Sequence, residues 1–187
     1  MNYIIGYGDR VVCLNRFWGS KMNREDLNVF LSKWYTEANR YMDNAKEALH
    51  KSDKEDFGHY KDQKYVKSAC GIAYLAVLVA LDAWLILKGI PEPSKKTRKT
   101  INYYLSQIAE LDNKMVSFLN TAYDILHLEG YYRGITRIKT IESGFDAAYD
   151  IINQIKPERL VEVKETKGQG FKRVLNNLLI SAAVMFK

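Results

Sequence analysis

The sequence predicts an all-α protein, an up-down antiparallel bundle of four to five helices, and three observations carry that expectation. Long stretches place apolar residues at alternating steps of three and four. These stretches end at glycine, proline or charged turns, with connections short enough to make successive helices antiparallel neighbours. Sustained alternation over strand length is absent, with the partial exception of RLVEVKE at 159–165. At 187 residues the chain is near the size of one domain that builds a core without disulfide or metal staples.

The first helix is expected from Arg24 to Lys51, with Leu27, Leu31, Trp34, Ala38, Tyr41, Ala45 and Ala48 as its buried stripe. Asn23 and the acids Glu25 and Asp26 suit its N-terminus, where a cap and negative charge are favoured. After the charged break KSDKEDFG, a second helical pattern runs from about His59 to Lys88, closed by Gly89 and by Pro91 and Pro93. A third is expected after a capping Ser94, with Ile101, Leu105 and Ile108 inward. The pair Asp112-Asn113 breaks it from a fourth, whose stripe is Met115, Leu119, Ala122 and Leu126 and whose stop is the EGYYRG turn. The fifth runs from about Thr136 to Ile155 on Ile138, Ile141, Phe145, Ala148, Ile152 and Ile155, and Pro157 ends it. The domain is thus residues 22–156. Residues 157–187 are a tail with the short apolar helix candidate FKRVLNNLLISAAVMF. Residues 1–21 have no helical stripe, and Met22 directly precedes the first helix, so they are expected to be an N-terminal extension ahead of the native start.

The run ACGIAYLAVLVALDAWLIL, residues 69–87, is apolar except for Asp82. It is just long enough to cross a bilayer, but the acid and the continuation of the same helix through HYKDQKYVK argue for a central bundle helix instead of a membrane span. Ala69, Ala73, Ala76, Ala80 and Ala83 put an alanine stripe on one face, where another backbone, from the same chain or a second copy, approaches closely. Asp82 lies on a different face among Leu75, Leu78, Val79, Leu85 and Ile86. A carboxylate there needs partners, so Asp82 is expected to be a buried polar strut accepting from tyrosine hydroxyls, His127 or a helix N-terminus, with a pocket acid as the alternative.

Other chemistry is thin. Cys13 and Cys70 show no metal or redox spacing and read as reduced thiols of a cytoplasmic protein, and the first residues lack the basic region of an export signal. Each histidine follows an acid by three residues (Glu47 and His50, Asp56 and His59, Asp124 and His127). The first and third pairs fall off the apolar stripes and are expected to face solvent, the second to lie in a loop or helix start, so no metal site and no cofactor is expected. No nucleophile motif and no phosphate loop occurs, and no catalytic residue is assigned. The 28 Lys and Arg against 22 Asp and Glu give a net charge of +6. Lys95, Lys96, Arg98 and Lys99, expected in the first turn of the third helix, and Arg133 and Arg137 beside Tyr131 and Tyr132 are candidate phosphate or nucleic-acid contacts.

The run AYLAVLVALDAWLILKG, a proline-containing loop, and INYYLSQIAELDNKMVSFLNTAYDILHLEGYYRG together resemble the HEPN-type helical domains, over about residues 24–155, and most closely a bacterial branch of them. The resemblance implies an up-down bundle that often dimerises, with members that cleave RNA or accompany a minimal nucleotidyltransferase. The RNase members carry an Arg followed four to six residues later by a His. No arginine stands at that distance before His50, His59 or His127, so no catalytic residue transfers. The expectation is a non-enzymatic, cytoplasmic binding protein off the membrane, acting as a homodimer or as partner of a nucleotide-handling protein. The alternative is an RNA-binding or unconventional RNA-cleaving member of toxin-antitoxin type.

Overall fold

The computed structural model describes residues 4–7, 10–13, 24–55, 57–90, 93 and 98–157, and these form an all-α bundle with two small antiparallel hairpins. The first hairpin pairs β1 (Ile4–Tyr7) with β2 (Arg10–Cys13), in the segment where no helical stripe was found. Helix α1 (Arg24–His50) follows the predicted stripe closely and adds Met42 to it. The second hairpin, β3 (Lys54–Glu55) with β4 (His59–Tyr60), lies in the α1–α2 connection. Helix α2 (Gln63–Leu87) therefore starts later than His59, at the Asp62 cap, whose side chain accepts the Lys64 amide at 3.0 Å.

Helix α2 is the centre of the fold. Every other helix packs against it, α1 most extensively, and its apolar positions from Val66 to Leu87 supply the middle of the core. It has the length and composition of a membrane-crossing helix, but 61% of its most apolar stretch is buried by the rest of the chain. All five residues of the alanine stripe have zero exposure, so the chain's own helices cover that face. The helix ends in a Schellman arrangement: the Ile90 amide reaches the Leu85 carbonyl at 3.0 Å, the Gly89 amide reaches Ile86 at 2.9 Å, and Gly89 has φ +78°.

The start of α3 and the course of the segment after α4 also differ from the sequence reading. Helix α3 (Ile101–Ile108) begins at the Thr100 cap, not after Ser94, so Arg98 and Lys99 precede the helix instead of crowding its positive N-terminus. Ser94, Lys95 and Lys96 lie outside the described residues, as do RLVEVKE and the whole tail from residue 158. Helix α4 (Asn113–Ala122) widens into an eleven-residue π-helix, Tyr123–Arg133, which ends at Gly134, φ +73°, the last residue of the expected EGYYRG stop, so that Gly130 lies inside the helix and not in a turn. Gly130 is instead a point of close approach: a Cβ there would stand 2.4 Å from Cys70 Sγ and 3.0 Å from the Ile125 carbonyl. Burial among apolar neighbours pushes the Cys70 thiol up to about 12, which keeps it protonated and inert.

Helix α5 (Ile138–Ile152) continues into a 3-10 turn at Asn153–Ile155. Its N-terminal residue Arg137 offers no side-chain cap. The second hairpin does the capping instead: the Ile138 amide donates to the Gly58 carbonyl at 2.9 Å and the Tyr60 amide to the Thr136 carbonyl at 2.8 Å.

Candidate interaction face on the central helix

Helical spacing divides α2 into faces with different fates. Cys70, Gly71 and Tyr74 meet the π-helix, and the alanines face the interior. The remaining face carries Ile72, Leu75, Val79, Asp82 and Ile86 at steps of three, four, three and four, the spacing of a coiled-coil seam. Leu75 is 48% exposed and the other four are half-buried. A helix that is apolar on this side as well as inside is either covered by something or exposes an unusual patch.

Polar groups bound the seam at one end. Asp82 accepts a hydrogen bond from Tyr104 Oη at 2.9 Å and from Lys99 Nζ at 2.8 Å, and no part of this involves His127. Burial and then the Asp82 charge hold the Tyr104 hydroxyl well above the usual phenol range, so it stays a donor.

The other end is aromatic. The π-helix sets His127 half-buried against a stack of rings, where its position off the stripe suggested full exposure to solvent. Its ring centroid lies 4.8 Å from Tyr74, 5.2 Å from Tyr123, 6.1 Å from Tyr131 and 5.1 Å from Tyr132. Widening to a π-helix is what brings residues 123, 127, 131 and 132 to one side, since an α-helix would splay the last of them. Tyr131 lies over Gly71, whose added Cβ would meet its ring at 3.0 Å, and Tyr131 and Tyr132 remain 45% and 63% exposed.

Burial lowers the His127 pKa from its ordinary 6.5. Protonation is thus easier in the unfolded chain, and stability is expected to be fully present above about pH 6.5 and to fall as the pH drops through the folded value. Urea unfolding midpoints at about pH 7 and about pH 5 check this: His127→Phe is expected to show a smaller loss on acidification than the natural sequence.

The basic candidates do not form one surface. Arg133 pairs with Glu129 one turn back, Arg137 starts α5 beside His59, and both are exposed near the N-terminal end of α2, where Gln63 Nε2 donates to Gly134 O at 2.8 Å. Lys99 is held by Asp82, nineteen residues along, a rise of about 28 Å. Among the described residues no group of three or more His, Cys, Asp and Glu converges as a metal site. His59 instead shares a hydrogen bond with Thr136 Oγ1 at 3.1 Å. The sequence reading caught Leu75, Val79 and Ile86 of the seam around Asp82 but not Ile72, and it included Leu85, which is buried; of the ring stack, the contact to Tyr74 and the alignment of Tyr132 had no signal in α-helical spacing.

A family model described as a domain of unknown function, DUF5618, matches residues 33–157, which include the seam and the ring stack. Among solved structures, a protein of unknown function from Dyadobacter fermentans is 36% identical and superposes with a TM-score of 0.61, over 68% of this chain and 97% of that one. No curated protein matches. The family match spans α1 from Lys33 to the end of the bundle, and on it the chain belongs to the DUF5618 family.

Proposed function

We propose that the protein is a non-enzymatic binding module that pairs with a second copy of itself through the outer seam of α2. The observation that carries this reading is the heptad-spaced row Ile72, Leu75, Val79, Asp82 and Ile86 on the outside of the most apolar helix, with Leu75 half exposed. The alanine stripe has no part in it, being covered within the chain. Tyr131 and Tyr132 extend the seam as aromatic anchors, and Asp82 with Lys99 supplies a polar rim, a composition suited to a protein interface. The HEPN-like helix order and the AYLAVLVALDA run support the dimer expectation. A cytoplasmic location, away from membranes, and service to a nucleotide-handling partner belong to the same reading.

The test is mass by light scattering on the full chain and on Leu75→Glu. The natural sequence is expected to be a dimer at micromolar concentration. The variant is expected to be a monomer of unchanged helicity, because a charge at a buried seam position is left without a partner. A monomeric natural protein, or a variant that still dimerises, overturns the proposal.

One observation favours a second reading, binding of single-stranded RNA: the exposed rings of Tyr131 and Tyr132 stand beside Arg133 and Arg137, a stacking platform next to cations. Retardation of labelled RNA that weakens steeply with salt supports it, and no binding at low salt removes it.

A further inference from the structure

The end of α1, the second hairpin and the middle of α5 line an open cleft of about 450 Å³ that shares no residue with the seam, within the range of small-molecule sites. Its apolar lining includes the buried Tyr60 and Phe145 and the half-buried Tyr149, a setting suited to a flat apolar body. Charge is sorted by element around it. Helix α5 contributes two carboxylates, Glu142 and Asp146, and α1 with β3 contributes the ammonium groups of Lys46 and Lys54.

The two sides do not neutralise each other. Among the described residues, no ion pair within 4 Å joins either carboxylate to either lysine. Glu142 and Asp146 are spaced i, i+4 on one helix face, where like charges repel and a counter-cation is favoured. Lys46 Nζ lies 4.8 Å above the Tyr149 ring, so an aromatic face in this cleft already holds a cation supplied from within. All four charged side chains are exposed to water, so neither side needs the other, and a molecule with a charge of each sign pairs with both sides at once.

We infer that this cleft binds a small zwitterion with a flat apolar body, its ammonium at Glu142 and Asp146 and its carboxylate at Lys46 and Lys54. Tyr60 and Tyr149 flank the body. The full chain, labelled with nitrogen-15, is titrated with L-phenylalanine as probe, and with phenethylamine and 3-phenylpropionate as single-charge controls. Saturable amide shifts at residues 46, 54, 142 and 146 are expected with L-phenylalanine. Binding is expected to weaken by about tenfold or more for each control, the loss of one charge-assisted contact. Glu142→Gln and Lys54→Gln, both at exposed positions, are expected to weaken L-phenylalanine binding by about fivefold or more with the melting temperature unchanged. Absence of saturable shifts with L-phenylalanine, or a control that binds as tightly as it does, overturns the inference. The cleft shares no residue with the seam, so the inference does not rest on the dimer proposed above.

Discussion

Gly130→Ala is expected to lower the stability of the protein by about 2 kcal/mol, which for a chain of this length is a fall in melting temperature of about 4–8 °C. A methyl group at this position meets Cys70 Sγ at 2.4 Å, Cys70 Cβ at 2.8 Å and the Ile125 carbonyl at 3.0 Å. The first contact belongs to a fully buried side chain of the central helix and the last to backbone, so neither yields without moving an element. Overpacking of this kind costs about 1–3 kcal/mol, and the gain of up to about 1 kcal/mol from removing a helical glycine offsets part of it. Adding Cys70→Ala removes the sulfur but leaves its Cβ and the carbonyl in place, so the double variant is expected to recover part of the loss and to be non-additive. Thermal melts of the four proteins measure the coupling. A Gly130→Ala protein as stable as the original excludes the close approach described for the π-helix and α2.

Asp82→Ala is expected to cost about 2 kcal/mol, because it leaves the Tyr104 hydroxyl, on a residue 2% exposed, without the acceptor it has at 2.9 Å. Lys99 loses its contact with the carboxylate as well, but it is nearer to water and that contact contributes less. Tyr104→Phe removes the donor together with its need, so its expected cost is smaller, about 1 kcal/mol. Asp82→Asn keeps an oxygen for the tyrosine and falls between the two. Urea unfolding of the three variants gives the order. Equal stability of Asp82→Ala and the natural sequence removes the strut role and leaves the acid free for ligand or interface chemistry.

The periodic part of the fold was legible from the residues. Leu27, Leu31, Ala38 and Ala45 on α1, and Ile141, Phe145, Ala148 and Ile152 on α5, are buried as their spacing requires, because one helix face must be covered by neighbours. Misreadings arose where hydrogen bonding, not burial, decides the structure. The π-helix uses bonds one residue longer than an α-helix, which apolar spacing does not encode, so Gly130 read as a turn when its small size serves packing. The start of α3 was misplaced because Ser94 and Thr100 are both good caps in sequence, and Thr100 is the one that accepts the Tyr103 amide. The alanine stripe was legible as a close contact, but spacing alone does not tell an internal neighbour from a second copy. The cleft had no signal at all, since Lys46, Lys54, Tyr60 and Glu142 come from segments that only the folded chain brings together.

The second hairpin, described above as the cap of α5, also sets an order of assembly. Its hydrogen bond between His59 and Thr136 joins residues 77 apart in the chain, a loop whose closure costs about 4 kcal/mol of entropy by chain statistics alone. Helices α1 and α2, separated only by that hairpin and its flanks, meet at about half that cost and share the most extensive packing in the bundle. The chain is therefore expected to collapse first as an α1–α2 pair, with the first turn of α5 among the last parts to lock. Until it locks, the acidic side of the cleft has no fixed position relative to the basic side.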